Sequence, residues 1–262
     1  MFLTILPTLP EPVPDSINAL ISGSAIFDSS CSQNARVYLI DRDNGYFLKS
    51  AAAGTLREEA LMARYFHRAG FGLQVVAYES GARDFLLTAR IPGEDCIHTK
   101  YLSDPIRLCD TLAETLRMLH DTPAINCPVT RQAPEVPAHN RDQLFSRFSA
   151  DIYLGGNPFP SPESAWDLAV SLAPALQPDA LIHGDYCLPN VILSNWQFSG
   201  LIDLGGAGFG NRHHDLFWGL WSLCYNLKTD RYTQRFLECY GKNRFSPDLL
   251  RAVAALEGFG IG

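Results

Sequence analysis

Apolar and polar positions alternate through the first third of the chain. Residues 36–40 (Arg-Val-Tyr-Leu-Ile) and 46–49 (Tyr-Phe-Leu-Lys) flank the polar stretch 41–45. Strand, turn, strand is the simplest reading, so a hairpin is predicted. The period then changes. Leu56, Ala60, Ala63 and Phe66 recur at helical spacing until Gly70, which marks one buried stripe of a helix. Thr55 and Glu58 at its start have the Thr-x-x-Glu spacing of a capping box. Two more strands are predicted at 73–78 and 85–89, before Ile91-Pro92-Gly93 breaks the pattern.

Beyond the break the spacing is mainly helical. Asp104 followed by Pro105 is an N-cap with proline at the first helical position. Ile106, Cys109, Leu112, Ala113, Leu116 and Leu119 then define an amphipathic helix over 104–120. A segment rich in Pro, Gly and Asn covers 121–163, around a helix predicted at 141–148. Further helices are predicted at 166–176, 215–225, 230–240 and 247–256. A hairpin is predicted from strands 191–194 and 198–202 around Asn195-Trp196-Gln197. Strands first and helices afterwards predict an α+β class with two lobes, 1–90 and 91–262.

Composition narrows the functional classes. The chain has 262 residues, 47% hydrophobic and 19% charged, enough for a real core and too apolar for disorder. A net charge of −7 argues against nucleic acid as a partner. Seven cysteines with no Cys-x-x-Cys pair suit free thiols in a reducing compartment. Residues 1–14 lack the basic region of a signal peptide, and the longest strongly apolar stretch, 216–225, is too short for a bilayer. A cytoplasmic protein with no membrane partner is therefore expected.

The densest polar cluster is Leu181-Ile-His183-Gly-Asp185-Tyr-Cys-Leu-Pro-Asn190, followed by Leu201-Ile-Asp203. The hairpin between them should return Asp203 to the neighbourhood of Asn190. An amide oxygen and a carboxylate make a hard-oxygen set suited to Mg²⁺. Asp185 can orient a hydroxyl nucleophile. Alone, each of the three reads equally well as a turn residue or a strand-end cap. Together they form a phosphoryl-transfer layout. Lys49 ends an otherwise apolar strand. With Glu58 occupied by the capping box, Glu59 is left to pair with Lys49 and hold its ammonium toward phosphates.

His183-Gly-Asp185-x-Cys187-Leu-Pro-Asn190, Phe198-Ser-Gly-Leu-Ile-Asp203, Arg212 and Asp215 together resemble the aminoglycoside 3′-phosphotransferases, the kanamycin kinases. Phe47-Leu-Lys49, Glu59-Ala60, Arg117-Met-Leu-His120 and Cys127-Pro128 extend the resemblance over about 30–257. It implies a two-lobed fold similar to protein kinases, with a strand-rich nucleotide-binding N-lobe and a mainly helical catalytic and substrate-binding C-lobe. It also implies transfer from ATP, with GTP possible, and Mg²⁺, to the 3′-hydroxyl of a cationic antibiotic, conferring resistance. The protein would be a monomer or dimer. Asp185 becomes the catalytic acid/base, Asn190 and Asp203 the metal ligands, and Lys49 with Glu59 the phosphate clamp. Phe47 would stack on adenine, Arg90 and Ile91 would form the hinge that reads its edge, and Asp215 would brace the catalytic loop. His183 is expected to hydrogen-bond backbone. Other acceptors stay open: a peptide antibiotic, a macrolide, choline or a sugar-like metabolite. A non-catalytic binding module is disfavoured because each chemically required position is filled.

The departures fall mainly on the acceptor side. No Gly-x-Gly-x-x-Gly loop is present, and the turn at 29–34 stands in its place. Gly206 stands where many members carry an arginine. The loop 150–165 offers only Asp151 and Glu163 as acids. Trp218, Trp221 and Tyr225 occupy a helix that usually carries charge, and Glu257 is the acid near the end. Asp151, Glu163, Trp221, Tyr225 and Glu257 are thus the acceptor candidates, and the aromatic residues read equally as core. An aromatic pocket would favour a less charged acceptor, or stacking and cation–π contact. The glycine run 205–210 does not fit a dinucleotide fingerprint and predicts a flexible segment. His213-His214 lacks partners at zinc spacing.

Overall fold

The computed structural model describes residues 4–30, 35–137, 141–150 and 158–261. Two compact units emerge: Met1–Pro92 with Ser199–Gly205, and Gly93–Phe198 with Gly206–Gly262.

In the first unit, β1 (Thr4–Leu6), α1 (Asp15–Ile21) and β2 (Ala25–Asp28) precede the predicted hairpin. That hairpin is β3 (Ala35–Asp41) and β4 (Tyr46–Ala52), followed by α2 (Arg57–Arg68), β5 (Val75–Ser80) and β6 (Arg83–Ala89). The strands form an antiparallel sheet in the order β1-β2-β3-β4-β6-β5. Successive side chains in a strand point to opposite faces. Tyr38, Leu48 and Leu87 share one face and bury against Ile17 and Ile21 of α1. Ala51 and Leu86 lie on the other face, against Leu56 and Ala60 at the start of α2. Lys49 pairs with Leu86 across the ladder and so faces the α2 side, as does Phe47 two residues earlier.

The capping box at the start of α2 does not form. Leu56 is the N-cap, with no side-chain cap hydrogen bond of its own. The Leu56 N–H donates instead to Asp84 Oδ2 at 2.9 Å, and Thr55 Oγ1 donates back to Ala52 O at 2.6 Å. Asp84 is fully buried and also accepts from Ser80 and Tyr78. A carboxylate from β6 thereby takes the place of a local cap.

In the second unit, β7 (Glu94–Asp95) and α3 (Thr99–Leu102) lead into α4 (Pro105–His120), where Asp104 accepts from the Arg107 N–H as predicted. α5 (Arg141–Arg147) and α6 (Pro162–Leu172) follow; the 166–176 expectation starts late because Ser161 and Ser164 form a capping box upstream. Then come β8 (Ala180–Ile182), β9 (Val191–Ser194) and β10 (Gln197–Leu201), with β9 and β10 joined through Asn195 and Trp196, both at positive φ. β11 (Gly208–Gly210), α7 (Arg212–Leu227), α8 (Thr233–Tyr240) and α9 (Pro247–Gly258) complete the chain. α8 begins three residues after the predicted start because Asp230–Tyr232 form a turn, with Asp230 O accepting from the Thr233 N–H. The core between α6, α7 and α9 gathers Trp166, Phe217, Val253, Leu256 and Phe259.

The glycine run is ordered rather than loose. Leu204–Gly206 is a 3₁₀ turn, and Gly208–Gly210 is β11, antiparallel to β8. Gly184, at φ +80°, is the glycine that close approach requires: a Cβ on it would lie 2.1 Å from Gly206 O. Among the described residues, no helix is long and apolar enough to cross a membrane.

Candidate active site

The first unit presents a cationic clamp. Lys49 Nζ donates to Glu59 Oε2 at 2.8 Å and Oε1 at 3.0 Å, and to Asp203 Oδ1 at 2.8 Å. Strand parity turns Lys49 toward α2, and Glu59 lies in the first turn of that helix, so the pair follows from local geometry. Burial pulls the Lys49 pKa down, but the two carboxylates outweigh it and the net shift is upward, keeping the ammonium charged. Asp203 holds a left-handed backbone, φ 58°, and its side chain is 54% exposed. Sparsely populated backbone of this kind tends to collect at functional positions. Phe47 is half-buried on the same face as Lys49. The Arg90 N–H donates to Gly45 O at 3.0 Å, and the Ile91 side chain packs over Gly200.

The second unit holds the polar loop between β8 and β9. Asp215, near the start of α7, is fully buried and straps the loop from behind. Its Oδ2 accepts from the His183 N–H and its Oδ1 from the Gly184 N–H, each at 2.7 Å. His120 Nε2 lies 3.1 Å from Asp215 Oδ2, and His120 Nδ1 lies 2.8 Å from the Tyr240 hydroxyl. Burial alone would raise the Asp215 pKa; the His120 hydrogen bond, nearby positive charge and the backbone donors reverse that and hold it low. His183 Nδ1 accepts from the Asp185 N–H at 3.2 Å, in keeping with a backbone-bonding role. The Leu188 N–H donates to Ser222 Oγ of α7 at 2.9 Å.

Those straps aim two side chains. Asn190 Nδ2 donates to Asp185 O and to Asp185 Oδ2, both at 2.9 Å. The donor end of the amide is thereby committed, and Oδ1 is the atom left to meet a cation. Asp185 itself is half-buried. Burial pushes the Glu257 carboxyl up to about 7, a Trp218 hydrogen bond pulls it down, and the Asp185 charge adds to the rise. Trp221 and Tyr225 stack at 5.0 Å and 11°, with Tyr225 47% exposed.

Glu163 is fully exposed in the first turn of α6, where a Ser161 hydrogen bond holds its carboxyl low. Asp151 lies outside the described residues. His213 is structural: its Nδ1 meets Asn211 Oδ1 at 2.7 Å, and its Nε2 accepts from the Ser246 N–H at the start of α9. Burial lowers its pKa to about 4. Four supporting residues had no assigned role in the sequence: Asp84, His120, Ser222 and Tyr240. Only His120 carried any signal, at the end of a strong helical stripe.

A lysine–carboxylate clamp in a strand-rich unit and a strapped Asp–Asn loop in a helical unit are the parts of a kinase-like phosphotransferase. Solved structures bear out the fold. The crystal structure of a type VIII aminoglycoside-3′-phosphotransferase matches with a TM-score of 0.69 at 23% identity, covering 93% of this chain and 96% of that one. The aminoglycoside phosphotransferase APH(3″)-Id from Streptomyces rimosus, in complex with ADP and streptomycin, matches with a TM-score of 0.65 at 21% identity, covering 87% and 91%. Residues 27–255 match the model of the phosphotransferase enzyme family (APH), and the chain belongs to that family. A probable aminoglycoside 3′-phosphotransferase of Lactococcus lactis subsp. lactis is 40% identical over 252 residues, 95% of this chain and 96% of that protein.

Proposed function

We propose that this phosphotransferase moves the γ-phosphoryl group of ATP onto a hydroxyl of an aminoglycoside, at the 3′ position. The observation that carries the reading is Asp185: a carboxylate held on one oxygen by Asn190, on a loop strapped by Asp215. Support for the acceptor comes from the 40% identity to a probable aminoglycoside 3′-phosphotransferase along nearly the whole chain.

In this mechanism Phe47 stacks on the adenine, and the backbone at Arg90 and Ile91 reads its edge. Lys49, kept in place by Glu59, neutralises phosphate charge. Asp185 accepts a hydrogen bond from the acceptor hydroxyl and aims its oxygen at the terminal phosphorus. Because the transition state is loose, positioning and charge neutralisation do most of the work, and the proton reaches Asp185 late. The hard oxygens of Asn190 Oδ1 and the Asp203 carboxylate suit Mg²⁺, which would supply further charge neutralisation for the phosphates. Glu257, an acid whose carboxyl feels the Asp185 charge, would favour an amine-bearing acceptor.

The test is ATP- and Mg²⁺-dependent turnover of kanamycin, neomycin and the peptide antibiotic capreomycin side by side, with the product site mapped. The reading expects phosphorylation of the two aminoglycosides at the 3′-hydroxyl. Turnover of capreomycin alone would assign a different acceptor, and a product at another hydroxyl would overturn the position.

A further inference from the structure

Among the described residues, one buried side-chain nitrogen or oxygen has no hydrogen-bond partner: Trp221 Nε1. A buried indole N–H ordinarily finds an acceptor, and leaving it unmet is costly. Such an exception calls for an explanation, and a missing ligand is one.

The surroundings of Trp221 define what that ligand would be. The next residue, Ser222, accepts from the Leu188 N–H and so ties this turn of α7 to the loop that carries Asp185. One turn earlier, Trp218 and Asp185 both act on the Glu257 carboxyl, the first lowering its pKa and the second raising it. Trp218 meets Trp221 edge-on at 5.5 Å, and Tyr225 stacks on it at 5.0 Å. Lys228 Nζ sits 3.9 Å from the centre of the Tyr225 ring and helps fix that end of the stack. The indole is held by rings, and its open valence is the N–H.

We infer that Trp221 Nε1, on the turn of α7 tied to the loop that carries Asp185, is a specificity-determining donor that binds a hydroxyl or ring oxygen of the acceptor. This rests on the function proposed above and deepens it. Asp185 is a hydrogen-bond acceptor that attracts an amine, and Glu257 becomes a second one when ionised. The indole N–H repels an ammonium and requires an oxygen lone pair. A ligand that satisfies all three carries amines and ether or hydroxyl oxygens on one rigid frame, as an amino sugar does. The aromatic stripe thus selects by a directed hydrogen bond where a charged helix would select by charge.

The test compares wild type, Trp221→Phe, and a protein with β-(3-benzothienyl)alanine at position 221, which keeps the ring size and replaces N–H by sulfur. Acceptor KM should rise about tenfold in both variants, with kcat and the ATP KM within twofold of wild type. The factor should fall to about one for the monodeoxy acceptor that lacks the partner oxygen, the signature of a coupled pair. If the benzothienyl protein keeps a wild-type acceptor KM while wild type phosphorylates aminoglycosides, the inference is overturned, whatever the phenylalanine variant does. A wild type that phosphorylates no aminoglycoside overturns the functional reading and this inference with it.

Discussion

A carboxylate with no access to water has to find donors inside the protein, and Asp215 finds three: the backbone N–H groups of His183 and Gly184, and the His120 ring. It holds the loop after β8 through backbone N–H groups. Removing one acceptor from this set strands a donor in a buried place. Asp215→Asn is expected to lose about 2–4 kcal/mol of unfolding free energy, read by urea denaturation. The pH dependence follows from the depressed pKa. A carboxylate held lower in the folded state than in the unfolded chain contributes stability above its unfolded value, near 4. That contribution fades as pH falls through the folded value. The stability difference between wild type and Asp215→Asn should therefore be full at pH 7 and shrink under acid; a difference independent of pH would contradict the charge-based account. At this scale the sequence was informative for Lys49, whose pairing with Glu59 it anticipated, and for Asp185 and Asn190 only in combination with Asp203, since each alone reads equally well as a turn residue. It was silent on Ser222 and Tyr240, because a hydroxyl that caps a distant N–H or meets a histidine leaves no local pattern.

The start of α2 shows how an element can be read correctly for the wrong reason. The helical stripe from Leu56 to Phe66 was visible, and the Lys49–Glu59 pair formed as expected. The capping box invoked to free Glu59 did not. Asp84, twenty-eight residues downstream, supplies the acceptor for Leu56 N–H, and no one-dimensional pattern announces a partner from another strand. Thr55→Ala should therefore cost only a few tenths of a kcal/mol, whereas Asp84→Ala should cost about 2 kcal/mol. Equal losses in thermal unfolding would restore the capping box. Other elements were illegible for different physical reasons. β1 and α1 are short and sit among Pro7, Pro10, Pro12 and Pro14. β8 and β11 have three residues each, and β11 is glycine-rich because Val129 and Arg131 crowd Gly208 and the Ile182 side chain of β8 crowds Gly210. Glycine that permits contact and glycine that permits motion look alike in a sequence.

For the molecule as a whole, length, strand-then-helix order and composition placed the chain in an α+β class, and the family match over 27–255 agrees. The net charge of −7 adds a consequence. An anionic protein attracts a polycationic acceptor over distances that salt screens, with a Debye length of about 10 Å at 0.1 M. The acceptor KM for kanamycin should rise several-fold between about 0.05 and 0.5 M ionic strength, against a smaller change in kcat; a KM insensitive to salt would exclude long-range attraction. The central claim is narrower: Asp185 orients the acceptor hydroxyl, and the rest of the molecule holds ATP without it. Its most direct test is steady-state turnover of kanamycin by Asp185→Asn, with ATP affinity measured on the same sample. The account predicts a loss of turnover of about a thousandfold with ATP affinity within a few-fold of wild type. Turnover near the wild-type rate would contradict it.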